Sequence, residues 1–263
     1  MTAARFSLAK RRALVTGASS GIGRAVARGL AQHGAELVLH HFGNERGARK
    51  TAVEIGGSVP VLEADFATPG AAEALAAKVL RDCGPIDILI ANAAIERRMP
   101  WTDIDAAQIT QHMTANFATL ISLAGKLVPP MAERGWGRVI ATGSIMAARP
   151  RAETLVYSSL KAAQLTAIQA IARDVGSHGV TLNVVSPGAI EIEANAQRYG
   201  DAAFRKAVAT KIPVGRHGRP EDLVGAFVFL CSDAASYITG ANIPVDGGWS
   251  IGDAPGSLPG TAG

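Results

Sequence analysis

This chain of 263 residues has only two cysteines, no long apolar run and none of the clustered Lys/Arg runs of a nucleic-acid binder. Cys83 and Cys231 are too few for a disulfide framework, which fits a reducing compartment, so we expect a cytoplasmic protein. No apolar run is long enough to cross a membrane, and residues 1–12 lack the apolar core of a signal peptide. The net charge of +4 is not concentrated in Lys/Arg runs, so we expect neither a nucleic-acid nor a membrane partner.

Internal repeats are also absent, and we predict no metal site. With 48% hydrophobic and 18% charged residues, the chain has the composition of a globular protein with a large core. No shift in composition divides it into parts. We therefore predict one domain over residues 1–252, followed by a flexible Gly/Pro-rich tail over residues 253–263.

Short apolar runs alternate with helical patterns, which predicts an α/β fold with a Rossmann-like, doubly wound parallel sheet. About seven strands are expected, with helices on both faces. The predicted strands are 13–16, 37–40, 59–65, 86–91, 137–142, 180–185 and 243–245. The predicted helices include 71–81, 105–131, 155–176 and 220–231. Pro244 favours an edge position for the last strand, and the polar segment 190–212 is a candidate substrate lid.

A glycine-rich segment follows the first predicted strand and opens a helix. It reads Thr16-Gly17-Ala18-Ser19-Ser20-Gly21-Ile22-Gly23. Glycines let the backbone approach a pyrophosphate, and the N-terminus of the helix offers N–H donors and the positive end of its dipole. The segment therefore predicts a dinucleotide site, although its Gly-x-x-x-Gly-x-Gly spacing differs from the usual Gly-x-Gly-x-x-Gly. The alternative is a tight turn that binds no ligand.

The residues after the second strand bear on the choice between NAD and NADP. A carboxylate there would bind the ribose 2′-hydroxyl of NAD, whereas a basic side chain accommodates the 2′-phosphate of NADP. Here the strand ends at His40 and His41, the first carboxylate is Glu45, and Arg46 and Arg49 follow. This slightly favours NADP(H) over NAD(H), with His41 as the candidate contact.

The helix predicted over residues 155–176 carries Tyr157 and Lys161, whose spacing places them on one face. A positive charge beside the phenol is expected to lower the pKa of Tyr157, so that it can transfer a proton during carbonyl/alcohol interconversion. Ser144 follows the strand 137–142, at the edge where open α/β sheets bind ligands. The three residues form a candidate catalytic site, although a Tyr-x-x-x-Lys pair by itself is more often a solvated pair.

Together these segments resemble the short-chain dehydrogenase/reductase family over about residues 10–249. The resemblance implies an NAD(P)-dependent oxidoreductase that interconverts a secondary alcohol and a ketone, and it implies a homotetramer. It implies a catalytic tetrad of Asn116, Ser144, Tyr157 and Lys161. In that family the serine and tyrosine bind the substrate oxygen, the lysine also grips the nicotinamide ribose, and the asparagine holds a water that relays protons.

Most of the candidate cofactor residues follow the ends of the predicted strands, and Tyr157 and Lys161 lie on the predicted helix 155–176. They are Gly17, Ser19, Ser20, Gly21, Ile22, Gly23, His41, Asp65, Phe66, Asn92, Ala93, Ala94, Tyr157, Lys161, Pro187, Gly188 and Ile190. Two positions depart from the family pattern. Ala94 stands where the family usually has glycine, and Ile192 stands where it usually has a threonine that binds the nicotinamide carboxamide.

Charged residues after strands four and five suggest the substrate. Arginine forks suit a carboxylate and Glu96 suits sugar hydroxyls, which together with the resemblance favours a gluconate-type sugar-acid dehydrogenase. The candidate substrate residues are Glu96, Arg98, Ser144, Met146, Arg149 and Tyr157. One alternative is a 3-oxoacyl-[acyl-carrier-protein] reductase, which shares the same motifs. Another is a nucleotide-binding regulator without catalytic turnover. Such a protein usually lacks one of the tetrad residues, whereas all four are present here.

Overall fold

Seven parallel strands form the sheet at the centre of the computed structural model, which describes residues 3–252. They are β1 (Arg12–Val15), β2 (Glu36–His41), β3 (Val61–Glu63), β4 (Ile88–Ala91), β5 (Gly137–Thr142), β6 (Val180–Pro187) and β7 (Asn242–Val245). Their order is β3-β2-β1-β4-β5-β6-β7. The doubly wound parallel sheet predicted from the sequence is therefore confirmed. The predicted tail, residues 253–263, lies outside the described residues.

Helices cover both faces of this sheet. They are α1 (Gly21–Gln32), α2 (Glu45–Ile55), α3 (Ala71–Asp82), α4 (Ala106–His112), α5 (Thr119–Glu133), α6 (Leu155–Val175), α7 (Ala196–Gly200), α8 (Ala202–Ala209) and α9 (Glu221–Cys231). A π-helical turn, Met113–Ala118, joins α4 to α5. Within residues 3–252, no helix combines the length and the apolar character that crossing a bilayer requires.

The sheet buries a separate apolar layer on each face, because neighbouring strand residues point to opposite sides. On β1, Leu14 packs with residues of α3, α5 and α6, whereas Ala13 and Val15 pack with residues of α1 and α9. The central strands are thus buried on both sides. That double burial explains why the sequence shows them as continuous apolar runs and not as alternating patterns.

Two helical regions differ from the sequence-based prediction. The sequence analysis does not predict α2, because its apolar stripe is short, with Ala48, Ala52 and Ile55, and the helix buries only Ala48 and Thr51. Asn44 starts it by accepting a hydrogen bond from the Gly47 N–H at 3.0 Å. The single helix predicted over 105–131 is divided by the π-helical turn, whose wider spacing leaves no signature in an apolar pattern.

The strand order reverses at β1, which has β2 on one side and β4 on the other. The connections after β1 and β4 therefore diverge and open a crevice at the carboxyl edge of the sheet. The glycine-rich turn follows β1, Asn92 follows β4 and Ser144 lies just beyond β5, so all three reach this crevice. At the far side, β7 is an edge strand, as Pro244 predicts.

The contact between α1 and α9 yields a prediction about two helical glycines. A Cβ on Gly29 would lie 2.2 Å from Val224 Cγ1, whereas a Cβ on Gly225 would meet no atom within 4 Å. We expect Gly29→Ala to lower the free energy of unfolding by about 1–3 kcal/mol through overpacking. Gly225→Ala is the matched control and should raise it by about 0.5–1 kcal/mol. Denaturant unfolding measures both, and a Gly29→Ala variant as stable as wild type would contradict the packing.

Candidate active site

A cavity of about 640 Å³ opens at the carboxyl edge of the sheet. Its walls come from the glycine-rich turn after β1, from the segments after β4, β5 and β6, from the start of α6, and from α7 and α8. This volume is typical of pockets that bind small molecules. Ser144, Tyr157 and Lys161 all line it, so the candidate catalytic side chains meet in one place.

The glycine-rich turn packs closely against the segment after β4. A Cβ on Gly17 would lie 3.1 Å from the Cα of Ala93, and a Cβ on Gly23 would lie 2.1 Å from the Gly17 carbonyl oxygen. At the N-terminus of α1, the Gly21 N–H donates to the Glu193 carboxylate at 2.8 Å. An acidic group at this position shows that the helix N-terminus accepts an anion, so the turn fits the phosphates of a dinucleotide.

His40 connects this turn to another wall of the cavity. Its Nδ1 accepts from the Gly17 N–H at 3.2 Å, and its Nε2 lies 3.0 Å from the Ala64 carbonyl oxygen. An N–H can only donate and a carbonyl can only accept, so the ring is neutral with its proton on Nε2. It also stacks on Phe66, with 4.2 Å between ring centres. Burial lowers the pKa of His40 to about 4, although the Ala64 carbonyl acts in the opposite direction.

The position of His41 does not agree with its prediction as a cofactor contact. Neighbouring residues of a strand point to opposite sides, so His40 faces the cavity and His41 does not. His41 is 3% exposed, and its Nδ1 lies 3.9 Å from Glu63 Oε1. Phe42 lines the cavity instead. The cavity residues at the end of β2 are therefore His40 and Phe42, which the sequence analysis did not select.

Asn92 joins the ends of three neighbouring strands. Its Nδ2 donates to the Thr16 carbonyl oxygen at 3.0 Å, and its backbone N–H donates to the Thr16 hydroxyl at 2.9 Å. Its Oδ1 accepts from the Thr142 hydroxyl at 3.2 Å. Asn92 thus holds β1, β4 and β5 in register at the rim of the cavity, and its side chain has this structural role whatever binds there.

Tyr157 and Lys161 share one face of α6, as their spacing predicts. Lys161 Nζ lies 5.5 Å from the centre of the Tyr157 ring and donates to the Thr142 carbonyl oxygen at 2.6 Å. The Ser144 hydroxyl is hydrogen-bonded to Tyr157, and it also accepts from the Met146 N–H at 3.1 Å. The lysine side chain is only 2% exposed. The phenol therefore lies between a hydroxyl that can orient an oxygen and an enclosed amine.

Burial decides the proton affinities of this pair. It raises the pKa of Tyr157, and the negative charge of Glu96 acts in the same direction. The hydrogen bond from Ser144 and the charge of Arg98 oppose that rise. Burial also lowers the pKa of Lys161 to about 8, against the opposing effect of Glu96. The prediction that Lys161 lowers the pKa of Tyr157 is therefore wrong for the protein alone, because desolvation raises that pKa and Lys161 is not among the groups that lower it.

Asn116 lies behind the cavity wall, in the π-helical turn, and is 2% exposed. Its side chain pairs with the backbone of Ile95. The Oδ1 accepts from the Ile95 N–H at 2.8 Å, and the Nδ2 donates to the Ile95 carbonyl at 2.9 Å. Its own carbonyl oxygen accepts from Gln164 Nε2 at 2.5 Å. Asn116 therefore ties α6 to the segment after β4, and π-helical turns are frequent at functional sites.

One wall of the cavity is rich in positive charge. Arg98 and Glu96 line it as an ion pair, with 2.7 Å between Nε and Oε1. The segment predicted as a lid adds residues that the sequence analysis did not select, namely Arg198, Tyr199, Phe204, Val208 and Lys211. Arg149 does not line the cavity, contrary to its predicted role as a substrate contact. Its Nη1 donates to the Trp249 carbonyl oxygen at 2.5 Å.

Most of the predicted site residues line this cavity. The predicted cofactor residues among them are Gly17, Ser19, Ser20, Gly21, Ile22, Gly23, Asp65, Phe66, Asn92, Ala93, Ala94, Tyr157, Lys161, Pro187, Gly188 and Ile190. The predicted substrate residues among them are Glu96, Arg98, Ser144, Met146 and Tyr157. Their positions agree with the prediction, and their binding roles stay predictions.

Comparisons with known proteins agree with this geometry. A family model described as enoyl-(acyl carrier protein) reductase matches residues 17–250. Gluconate 5-dehydrogenase of Gluconobacter oxydans is 35% identical over 252 residues, which cover 94% of this chain and 97% of that protein. A 3-oxoacyl (acyl-carrier-protein) reductase from Agrobacterium tumefaciens, solved with NADP bound, is 34% identical, with a TM-score of 0.89 and coverage of 94% and 97%. A gluconate 5-dehydrogenase from Burkholderia cenocepacia, in complex with NADP and tartrate, is 31% identical, with a TM-score of 0.89 and coverage of 96% and 100%.

Burial of Lys161 yields a prediction about stability and pH. Its pKa falls from 10.5 to about 8 on folding, so between these values the unfolded chain holds a proton that the folded chain has released. Stability therefore rises with pH across this interval. Between pH 8 and pH 10.5, we expect the free energy of unfolding of wild type to rise relative to that of Lys161→Met. Denaturant titrations at several pH values measure it, and a constant difference would contradict the burial argument.

Proposed function

Because the chain belongs to the short-chain dehydrogenase/reductase family, we propose that this NAD(P)-dependent oxidoreductase interconverts a secondary alcohol and a ketone on a sugar acid. The observation that carries the proposal is the positively charged wall of the cavity.

The proposed chemistry centres on the phenol of Tyr157, which exchanges a proton with the substrate oxygen. The Ser144 hydroxyl orients that oxygen. Lys161, with a pKa of about 8, holds a proton at neutral pH and releases it toward alkaline pH. A bound nicotinamide would supply the hydride acceptor or donor. The groups proposed to hold the dinucleotide are the glycine-rich turn and the segments 65–66, 92–94 and 187–190, all of which line the cavity.

The charged wall supports an anionic substrate. Arg98, Arg151 and Arg198 surround Tyr199 closely enough to lower its pKa, while burial raises that pKa more strongly. Lys211 also lines the cavity. Within residues 3–252, neither Arg198 nor Lys211 forms an ion pair, so both charges are available to a carboxylate. Guanidinium groups bind carboxylates through paired hydrogen bonds. Tartrate is a hydroxy acid, and its presence in the complex of the Burkholderia gluconate 5-dehydrogenase agrees with this choice.

A 3-oxoacyl-[acyl-carrier-protein] reductase remains the second candidate. The same wall contains apolar and aromatic groups, Met146, Phe204, Val208 and Trp249, against which an acyl chain could pack. The similarity to the Agrobacterium reductase also favours it. The two candidates differ in what the cations do, because an acyl thioester has no carboxylate at that position. Binding of a sugar acid therefore depends on the positive charges of Arg198 and Lys211, whereas binding of the thioester does not.

NADP(H) is the proposed preference over NAD(H). Phe42 lines the cavity at the end of β2, where an NAD enzyme would carry a carboxylate for the ribose 2′-hydroxyl. The nearby Glu63 accepts a hydrogen bond from the Gly43 N–H at 3.1 Å and does not line the cavity. No acidic side chain of the described residues therefore competes with a 2′-phosphate at the end of β2. The NADP bound to the Agrobacterium and Burkholderia proteins agrees with this preference.

Removal of the Tyr157 hydroxyl tests the proposed catalytic role. We expect Tyr157→Phe to lower turnover by about two to four orders of magnitude, because it removes the transferable proton and keeps the ring. The dissociation constant of the dinucleotide should stay unchanged. Tyr237→Phe is the matched control, since Tyr237 is fully exposed and does not line the cavity. Turnover of Tyr157→Phe within a few-fold of wild type would rule out the assignment.

A substrate panel tests the proposed substrate class. The panel measures reduction of NAD⁺ and NADP⁺ with sugar acids, aldoses and simple alcohols as substrates. The reverse reaction is measured with a 3-oxoacyl thioester as substrate. We expect activity on a sugar acid, with NADP⁺ preferred. Arg198→Gln should lower kcat/KM for the acid by about ten- to hundred-fold and leave an uncharged aldose unaffected. Arg205→Gln, on the same lid but outside the cavity, is the control. Activity on the thioester alone would replace the proposal by the second candidate.

A further inference from the structure

Gln164 is a buried polar side chain that none of the roles above uses. It is 2% exposed and lies on α6, one turn beyond Lys161. Tyr157, Lys161 and Gln164 stand at positions i, i+4 and i+7, which a helix places on one side. The α6 helix packs there against the π-helical turn that contains Asn116. An amide group is therefore enclosed on the same face as the two proposed catalytic side chains.

The orientation of the Gln164 amide follows from its one hydrogen bond. Its Nε2 donates to the Asn116 carbonyl oxygen at 2.5 Å. Because a carbonyl oxygen can only accept, the nitrogen must face Asn116, and Oε1 must face away from it. That Oε1 is buried and has no hydrogen-bond partner within residues 3–252. Buried acceptors in folded proteins are satisfied by ordered water when no protein donor reaches them.

The neighbours of Gln164 differ in how far their polar atoms are satisfied. Both polar atoms of the Asn116 side chain are bonded to the backbone of Ile95. An ammonium group has three N–H donors, yet within the described part of the chain only the Thr142 carbonyl accepts from Lys161 Nζ. The enclosed face of α6 therefore carries unused donors on Lys161 and an unused acceptor on Gln164.

We propose that Gln164 is a positioning residue for proton transfer, whose Oε1 holds the water through which Lys161 exchanges protons. The inference rests on the proposed function. During oxidation of an alcohol, the hydride leaves the carbon for the dinucleotide, and the hydroxyl proton passes to Tyr157 as the phenol gives its own proton to the neutral amine of Lys161. That proton leaves the enclosed site by way of Lys161 and the water on Gln164. In the direction of reduction the same groups return it. The Nε2 of Gln164 meanwhile holds Asn116, and with it the segment after β4.

Several ionisable groups lie on the elements packed around Lys161, and all are kept constant in the test. They are Tyr157 on α6 itself, Glu96 and Arg98 after β4, His112 at the end of α4, Glu153 before α6, and Lys126 and Glu133 on α5. Of these, Glu96 is the group whose charge shifts the pKa of Lys161, and it raises that pKa against the effect of burial. A substitution at Gln164 leaves Glu96 in place, so a change in the pKa of Lys161 reports on the amide.

The first arm of the test needs no substrate. Gln164→Met keeps the length of the side chain but removes the acceptor, so the charged form of Lys161 loses a partner and its pKa falls below about 8. Gln164→Glu places a carboxylate there and raises it. The contribution of Lys161 to the free energy of unfolding rises with pH above the pKa that Lys161 has in the folded protein. We therefore expect this rise to begin at lower pH in Gln164→Met and at higher pH in Gln164→Glu. Each variant is compared with its own Lys161→Met double variant.

The second arm uses whichever alcohol the wild type oxidises. We expect Gln164→Met to lower kcat by about ten-fold or more without changing the dissociation constant of the dinucleotide. Gln164→Glu keeps an acceptor and should recover part of that loss. The limb of the pH profile controlled by Lys161 should move in opposite directions in the two variants. Gln169→Met is the matched control, since Gln169 is exposed on the same helix and its Nε2 donates to the Gly240 carbonyl at 3.3 Å.

The outcomes separate the inference from the proposed function. Opposite pKa shifts of Lys161 in Gln164→Met and Gln164→Glu support the positioning role. Shifts in the same direction, or none, overturn it, because a purely structural glutamine would lower stability without moving a lysine pKa. If no alcohol in the panel is oxidised, the proposed function fails, yet the stability arm still decides whether Gln164 controls Lys161.

Discussion

The enclosure of the Lys161 amine is the constraint on which the cavity at the carboxyl edge of the sheet depends. A charged group removed from water is unfavourable unless protein atoms replace its hydration, and here the Thr142 carbonyl at the end of β5 accepts from it. That contact requires α6 to lie close to the end of the sheet. It also requires the π-helical turn to close the other side, where Asn116 and Gln164 bond. The same enclosure that lowers the pKa of Lys161 raises the pKa of Tyr157.

Neutral hydrogen bonds give the rest of the cavity rim its shape. Asn92 joins three strand ends, and His40 joins the glycine-rich turn to the wall that Phe66 forms. Because burial keeps the His40 ring neutral, this connection does not change as pH moves through the neutral range. The rigid rim and the titrating pair are thus built from different residue types. A site of this kind can hold its geometry while its protons move.

The segment predicted as a lid contacts both ends of the cavity. Glu193 accepts from the Gly21 N–H and pairs with Arg24 at 3.0 Å, so the lid reaches the turn that would hold phosphates. A few residues later, Arg198 and Tyr199 line the charged wall. Ile192 lies against Gly21, where an added Cβ would be 3.1 Å from its Cγ2. One short segment therefore carries both the departure from the family's threonine and the cations proposed to select the substrate.

The amino-acid sequence is sufficient to predict the strands of the sheet, because strands buried on both faces appear as continuous apolar runs. It also determined the glycine-rich turn and the spacing of Tyr157 and Lys161, since both are local patterns. The sequence does not show that His40 and not His41 faces the cavity, because that depends on how a strand end is oriented in the fold. Nor does it show the direction of the Tyr157 pKa shift or the pairing of Gln164 with Asn116. Both depend on the exclusion of water by residues distant in the chain, which no local pattern records.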